Sequence, residues 1–395
     1  MSDPPRSSYF SRRINVVLVL GAIAVGWQVW SFRGALNYGF HCQELSELLQ
    51  DAPLTTIQRQ IGGMNTNKNG DSQSKEDAKH FFPLPQKNTT NHTLAVIVLS
   101  RRNGFKVRQA IRDTWAKDHD NVFFVIGRGC SIPLAYRGLD EGGNSFCKVK
   151  PRPLDDNYIT ATMNHIQNEE KLTSQLLQEQ DQYQDLLVMP EIDMYRTLPQ
   201  KLKFAYTFVH DHLPTVQWVL KVDDDFYVRI DPFEQVLHDH DARKAILIGG
   251  DIRRDHRAHT GGKWKELPQF PHGAIYPPFP LGSYGHVVTR PIVDYVVKYQ
   301  EALFDYQGED ASLGIWLDHP LAPNTTFLNN KRMSNGGDCR KAQLYVVGHD
   351  ITPVKMGVCH KIDLKLLDPN YELPKVKSLP AKIRSWRKIS LPANE

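Results

Sequence analysis

An α/β fold around a mainly parallel sheet is what the sequence predicts, on three observations. Short, continuous apolar runs recur between residues 94 and 250, each suited to a strand buried on both faces. Segments of helical length separate them, so strands alternate with helices. The run 216–222 ends in three consecutive aspartates, Asp223, Asp224 and Asp225. In sheets of this kind ligands bind beyond the carboxyl ends of the strands, which is where these carboxylates fall.

Taken in order, residues 94–100 form the first strand, 107–116 fit a helix and 122–127 form a second buried strand. A long polar helix over 164–183 leads to a strand at 185–188. Residues 198–212 are helical and precede the aspartate-bearing strand, and 245–250 form a further strand. The character then changes. Residues 268–280 are dense in proline and aromatic side chains and read as a shaped loop, whereas 292–304 and 310–317 read as helices.

The aspartates carry the chemistry. An unpaired carboxylate beside a buried strand costs several kcal/mol or takes up a proton, so such a cluster calls for a partner. A hard divalent cation, Mg²⁺ or Mn²⁺, suits carboxylate oxygens. The alternative is an acidic strand-to-loop turn with solvated side chains. Composition is globular, with 41% apolar and 23% charged residues, and the net charge of +4 is small for 395 residues. That balance argues against a nucleic-acid partner held by bulk charge.

The amino-terminal region reads as a membrane anchor. Residues 14–32 are apolar but for Asn15, Gly21, Gly26, Gln28 and Ser31, long enough to cross the hydrocarbon core as a helix. Arg6, Arg12 and Arg13 precede this span, which puts a cytosolic tail at 1–13 and the rest of the chain on the lumenal side. A cleaved signal peptide is the alternative; Trp27 and Trp30, placed as an interfacial belt, favour the anchor. Residues 33–90 read as a polar stem, 91–373 as the catalytic domain and 374–395 as a basic tail. Asn88, Asn91 and Asn324 sit in usable glycosylation sequons. Of the five cysteines, proximity in sequence pairs Cys130 with Cys147 and Cys339 with Cys359. Cys42 is left free or joins two chains, a route to a homodimer that the stem could share.

Several separated motifs agree on a family. Arg108-Gln109-Ala110-Ile111-Arg112-Asp113-Thr114-Trp115 resembles the R-x-x-I-R-x-T-W helix of the inverting β1,3-glycosyltransferases. Asp185-Leu186-Leu187 with Asp193-Met194-Tyr195 and Lys201 resembles the segment that follows. Leu220-Lys221-Val222-Asp223-Asp224-Asp225 resembles the family's metal-binding strand. Tyr276-Pro277-Pro278-Phe279 with Gly282, and Glu309-Asp310-Ala311-Ser312-Leu313-Gly314, resemble its last two signatures. The likeness runs from Leu94 to Ile362 and keeps the family's order. It departs at Pro280–His286, which carries one extra residue, and at Ala311, where the family has valine.

The resemblance implies a GT-A-type nucleotide-sugar-binding fold, a UDP-sugar donor, Mn²⁺ or Mg²⁺, a glycan or glycoprotein acceptor, and a Golgi membrane enzyme of type II topology with a lumenal catalytic domain. It implies that Asp225 binds the metal with His349, that Asp223 reaches the metal or the nucleoside, and that Asp224 lies between them. For His349 a structural role is the alternative. Asp310 is the first choice for the base that deprotonates the acceptor and Glu309 the second; the alternative makes both helix-start acids that favour the dipole. Asp193 belongs to the nucleotide-sugar site. Arg108, Arg112 and Lys201 reach phosphate or aspartate, or else close internal ion pairs with an acid such as Asp185. Trp264, Tyr276 and Phe279 stack on the acceptor sugar or pack in the core.

The reaction expected is transfer of a hexose, galactose first, in β1,3 linkage. An N-acetylhexosaminyltransferase is the runner-up, and an inactive lumenal lectin or chaperone and a short-tailed receptor are the other classes. A lumenal domain has a direct check. Glycosidase treatment should remove mass contributed by Asn88, Asn91 or Asn324, and external protease should spare the carboxyl terminus in sealed vesicles; a cleaved terminus would reverse the topology.

Overall fold

The computed structural model describes residues 82–86, 92–150, 156–271, 273–336 and 338–367. The anchor at 14–32, the tails at 1–13 and 374–395, nearly all of the stem, Cys42, Asn88 and Asn91 lie outside the described residues. Among the described residues no helix is long and apolar enough to cross a membrane.

The strands are β1 (Leu94–Leu99), β2 (Val122–Arg128), β3 (Arg137–Leu139), β4 (Ser145–Val149), β5 (Leu186–Ile192), β6 (Trp218–Asp223), β7 (Tyr227–Val228), β8 (Ile246–Gly249), β9 (Ile252–Arg253), β10 (Phe279–Pro280), β11 (His286–Thr289), β12 (Thr326–Asn329), β13 (Met333–Asn335) and β14 (Val346–Gly348). The helices are α1 (Phe105–Arg112), α2 (Asp156–Tyr183), α3 (Leu198–His212), α4 (Ile230–Leu237), α5 (Arg290–Tyr299), α6 (Glu309–Leu317) and α7 (Pro353–Leu367).

The main sheet has the order β12-β8-β11-β6-β1-β2-β5. β1 pairs in parallel with β2 and β6, as do β2 with β5 and β8 with β12; β11 runs antiparallel between β6 and β8. A mixed α/β fold with a mostly parallel sheet is therefore present. Period-two alternation sorts each strand's side chains onto two faces. Leu94, Val96, Val98, Leu220 and Val222 pack with Ile111 of α1, Leu176 of α2, Phe233 of α4 and Met356 of α7. Ala95, Ile97, Leu99 and Val219 pack with Leu202 and Tyr206 of α3, Ile292 of α5 and Trp316 of α6. Being buried on both faces is why these strands read as unbroken apolar runs.

Several elements differ from expectation. α2 starts at Asp156, earlier than residue 164, and α5 ends at Tyr299, short of residue 304. β11, α4, α7 and the β3–β4 hairpin were not foreseen. At four residues, His286–Thr289, β11 is too short for a periodicity to stand out, and its neighbours rather than its own sequence make it a central strand. Disulfides link Cys130 to Cys147 and Cys339 to Cys359, each with its Cα atoms 5.8 Å apart. The first ties the loop after β2 to the hairpin, and the second ties α7 to the segment before β14.

Arg108 and Arg112, read as reaching phosphate or aspartate or else as closing internal ion pairs with an acid such as Asp185, occupy internal ion pairs. Arg108 is fully buried; its Nε and Nη2 donate to the Glu179 carboxylate at 2.8 and 2.6 Å, and its other donors reach Ser100 and backbone carbonyls. Arg112 makes a two-pronged pair with Asp185 at 2.9 and 2.8 Å and touches Glu179 at 2.8 Å. A helix face that spaces two guanidinium groups four residues apart thus docks onto two acids at the end of α2. Removing one member leaves a buried charge unpaired. Arg108→Ala should lower unfolding free energy by about 3–5 kcal/mol in chemical denaturation, whereas an effect below about 1 kcal/mol would show that Glu179 finds another partner.

Candidate active site

The site forms at the carboxyl end of β6, where the three aspartates have three different destinations. Asp223 is still in the strand and shares the face of Lys221, whose ammonium lies 2.9 Å from its Oδ1. Asp224 turns to the α1 side, where it accepts the Ser100 hydroxyl at 2.9 Å, and it is buried. Asp225 is in the turn and faces the segment after β14: His349 Nδ1 lies 2.8 Å from its Oδ2, and the Asp350 N–H donates to the same oxygen.

Asp225, His349 and Asp350 form a group whose ligand atoms lie within 4.8 Å of one another. The Asp225 Oδ1 atom is buried and has no hydrogen-bond partner among the described residues. A carboxylate with one unshared oxygen, grouped with an imidazole and a second carboxylate, is a donor set that fits a divalent cation such as Mn²⁺. Asp223 is not in this group, because Lys221 engages it. Asp350 was missed, although its place beside His349 was a signal.

Facing this end of β6 is the start of α6. Gly308, at φ 84°, lets the chain turn into the helix; a side chain there would be strained and would press on Asp310. Gly314 allows α6 to lie against Phe279, whose atoms a Cβ would meet at 2.4 Å. The two acids of the first turn then part. Glu309 is buried, 6% exposed, with Oε1 at 2.5 Å from Lys221 Nζ. Burial works to raise its pKa, but the Lys221 charge holds it below the ordinary value. Asp310 is half-buried; Oδ2 accepts the Gly282 N–H at 2.9 Å and Oδ1 its neighbour's N–H at 2.8 Å. Its recess and the Glu309 charge push it up to about 6. Asp223 is likewise raised to about 6 by desolvation and Glu309, against the pull of Lys221.

On the open side, Trp264 is 55% exposed and lies beside Tyr195, whose hydroxyl feels both Glu309 and Asp310. The Lys263 ammonium lies 4.4 Å from the Tyr195 ring centre. Trp264 thus keeps the exposure that sugar stacking requires. Tyr276 and Phe279 do not, which corrects that expectation. Each is 4% exposed, in a small cluster with Ala258 and Ala311, and the Tyr276 hydroxyl donates to Glu266. Glu266 also accepts the Gln307 N–H at 2.9 Å, so this buried acid ties the loop to the start of α6. Lys201, read as a phosphate contact or an internal ion-pair partner, pairs at 2.7 Å with Asp193, expected in the nucleotide-sugar site, and also donates to the Ser100 carbonyl.

Sequence reasoning named the aspartates, His349 and the acids of α6 but gave Lys221, Tyr195 and Glu266 no role. A lysine in the middle of an apolar strand was the available signal for the first. If the Asp225 group is a cation site, isothermal calorimetry should show Mn²⁺ binding weakened more than about tenfold in Asp225→Asn and in His349→Ala. Unchanged Mn²⁺ affinity in both would place the ion elsewhere.

Comparison with known proteins follows this geometry. Residues 164–323 match the galactosyltransferase family model, a stretch from α2 to the loop before β12. The chain is similar to the UDP-GalNAc:beta-1,3-N-acetylgalactosaminyltransferase 2 of Xenopus laevis, with 32% identity over 39% of this chain and 31% of the relative. It is 33% identical to Beta-1,3-galactosyltransferase 6 of Mus musculus, over 35% of this chain and 42% of the relative. A longer match, 27% identical, joins 67% of the chain to 36% of Beta-1,3-galactosyltransferase GALT1 of Arabidopsis thaliana. The matched part thus spans about a third of these relatives' length. The family model and these relatives thus agree in likening residues 164–323 and their surroundings to galactosyltransferases and N-acetylgalactosaminyltransferases.

Proposed function

We propose that this chain is a metal-dependent inverting glycosyltransferase of GT-A type. It moves a hexose, galactose first, from a UDP-sugar to an acceptor sugar hydroxyl in β1,3 linkage. The observation that carries the reading is the juxtaposition of a raised, half-buried carboxylate, Asp310, with the aspartate-bearing end of β6. Inversion needs a single base on the face opposite the leaving group. A carboxylate with a pKa about 6 is mostly ionised at neutral pH and remains a competent proton acceptor.

In this reading Asp310 takes the proton of the acceptor hydroxyl as that oxygen attacks the anomeric carbon. The Gly282 and Ala311 N–H groups fix the carboxylate's orientation. Trp264 and Tyr195 offer the acceptor an aromatic wall beside it. Asp225, His349 and Asp350 would hold Mn²⁺ or Mg²⁺, which when bound supplies positive charge for the departing diphosphate. Asp223, with one face toward solvent, is assigned to the nucleoside side. The acceptor is a glycan or glycoprotein, and the working location is the Golgi membrane, with the domain held in the lumen by the 14–32 anchor.

A second reading, transfer of an N-acetylhexosamine, is favoured by relatives named as N-acetylgalactosaminyltransferases. A donor screen of UDP-galactose against UDP-N-acetylgalactosamine with the lumenal fragment separates the two.

Asp310→Asn should lower kcat by about 10²–10⁴ while leaving UDP affinity unchanged, because the base faces the acceptor. Glu309→Gln should be milder. Protonation of Asp310 removes the base, so wild-type kcat should fall as pH drops through about 6. Loss of rate in Glu309→Gln alone, with Asp310→Asn active, would transfer the role to Glu309.

A further inference from the structure

One buried cation joins the aspartate-bearing strand to the helix that carries the base. Lys221 is fully buried in mid-β6, and side-chain alternation turns it, with Val219, toward α3 and α6. Its ammonium contacts Asp223 and Glu309 together. Among the described residues it is the one cation paired with Glu309. The other polar groups about Glu309 are the Asp223 and Asp310 carboxylates and the side chains of His286, Tyr206 and Tyr195. His286, which lies opposite Lys221 in the β6–β11 register, has neither ring nitrogen hydrogen-bonded among the described residues; the buried Tyr206 hydroxyl of α3 is unpartnered in the same sense. Burial and Lys221 hold His286 down at about 3, so it stays neutral.

A buried carboxylate without a cation takes up a proton, and two adjacent carboxylates then titrate as a pair. We propose that Lys221 is a positioning residue for the base: by neutralising Glu309 it leaves the neighbouring Asp310 as the carboxylate free to receive the acceptor's proton, and it anchors α6 to the strand that carries Asp223. The inference rests on the transfer reaction proposed above and assigns a residue that touches neither donor nor acceptor.

The groups that face Asp310 are the Gly282 and Ala311 N–H donors, the Glu309 carboxylate, the Lys221 ammonium, and the Tyr195 and Tyr276 hydroxyls. Those that face Glu309 are Lys221, His286, Tyr206, Tyr195, Asp223 and Asp310. The signs follow from charge. Glu309 favours protonation of Asp310 and Lys221 opposes it. Deleting the lysine charge therefore strengthens proton binding at Asp310, deleting the Glu309 charge weakens it, and deleting both cancels in large part.

The test is the acid limb of the kcat profile in three variants. Lys221→Met should move it up by about one pH unit and Glu309→Gln down by a similar amount, while the double variant stays close to wild type. A lysine that serves only folding would reduce the yield of active protein and leave every limb where it was. If Lys221→Met does not fold because Glu309 is left unpaired, the double variant, which buries no lone Glu309 charge, and Glu309→Gln still decide the matter. Limbs that coincide in all folded variants, or single variants that shift in the same direction, would overturn the proposal. Should the wild type turn over no UDP-sugar, the transfer reading fails on its own. A carboxyl ¹³C titration of the same proteins then decides the role of Lys221 by the direction in which the Asp310 midpoint moves.

Discussion

The ammonium of Lys221, buried between Asp223 and Glu309, is the contact on which the rest of the site depends. A lysine in a sheet interior is stable only if paired with good geometry, because removing an ion from water costs several kcal/mol before any attraction is regained. Here the pairing spans elements distant in sequence. β6 supplies the lysine and Asp223, and α6, over eighty residues later, supplies Glu309. The strand with the three aspartates and the helix with Glu309 and Asp310 are thereby tied together. Breaking the contact would release both.

The same economy of placement governs the three aspartates. They are adjacent in sequence yet do not act as one patch. Asp223 stays in the strand beside Lys221, Asp224 crosses to Ser100, and Asp225 meets His349 and Asp350 beyond the turn. Ser100 in turn accepts from Arg108, whose carboxylate partner is Glu179 of α2. The floor of the site is thus continuous with the buried ion-pair network on the α1 side. Such networks are valuable only when every member is satisfied, and all five donor contacts of Arg108 are spent inside this one.

The loop that carries Trp264 and the start of α6 are held by weaker, local devices. Buried Glu266 collects the Tyr276 hydroxyl and the Gln307 amide, and Gly314 lets α6 close onto Phe279. The tip of the β3–β4 hairpin supports this loop as well, since Asn144 donates to the Lys263 carbonyl. Tyr276 and Phe279 are consumed in this packing, which leaves Trp264 exposed above Tyr195. Aromatic residues of one loop therefore divide into those that shape it and the one that can meet a sugar face.

By itself the sequence determined the α/β class, the buried strands, the aspartate run at a strand end and the Glu309–Asp310 pair. Each is a local pattern: an apolar run, a charge cluster at a strand end, a short motif in a fixed order. Only the tertiary structure decided which arginines are internal, that Tyr276 and Phe279 are core, and that β11 runs antiparallel beside β6. It also gave the two acids of α6 different surroundings, since Glu309 is engaged by a lysine far away in the chain and Asp310 by backbone N–H groups. The physical reason is that a side chain's charge state and exposure depend on what long-range pairing brings next to it. Residue type and spacing set the candidates, whereas the partners Glu179, Asp185, Lys221 and Glu266 set the roles.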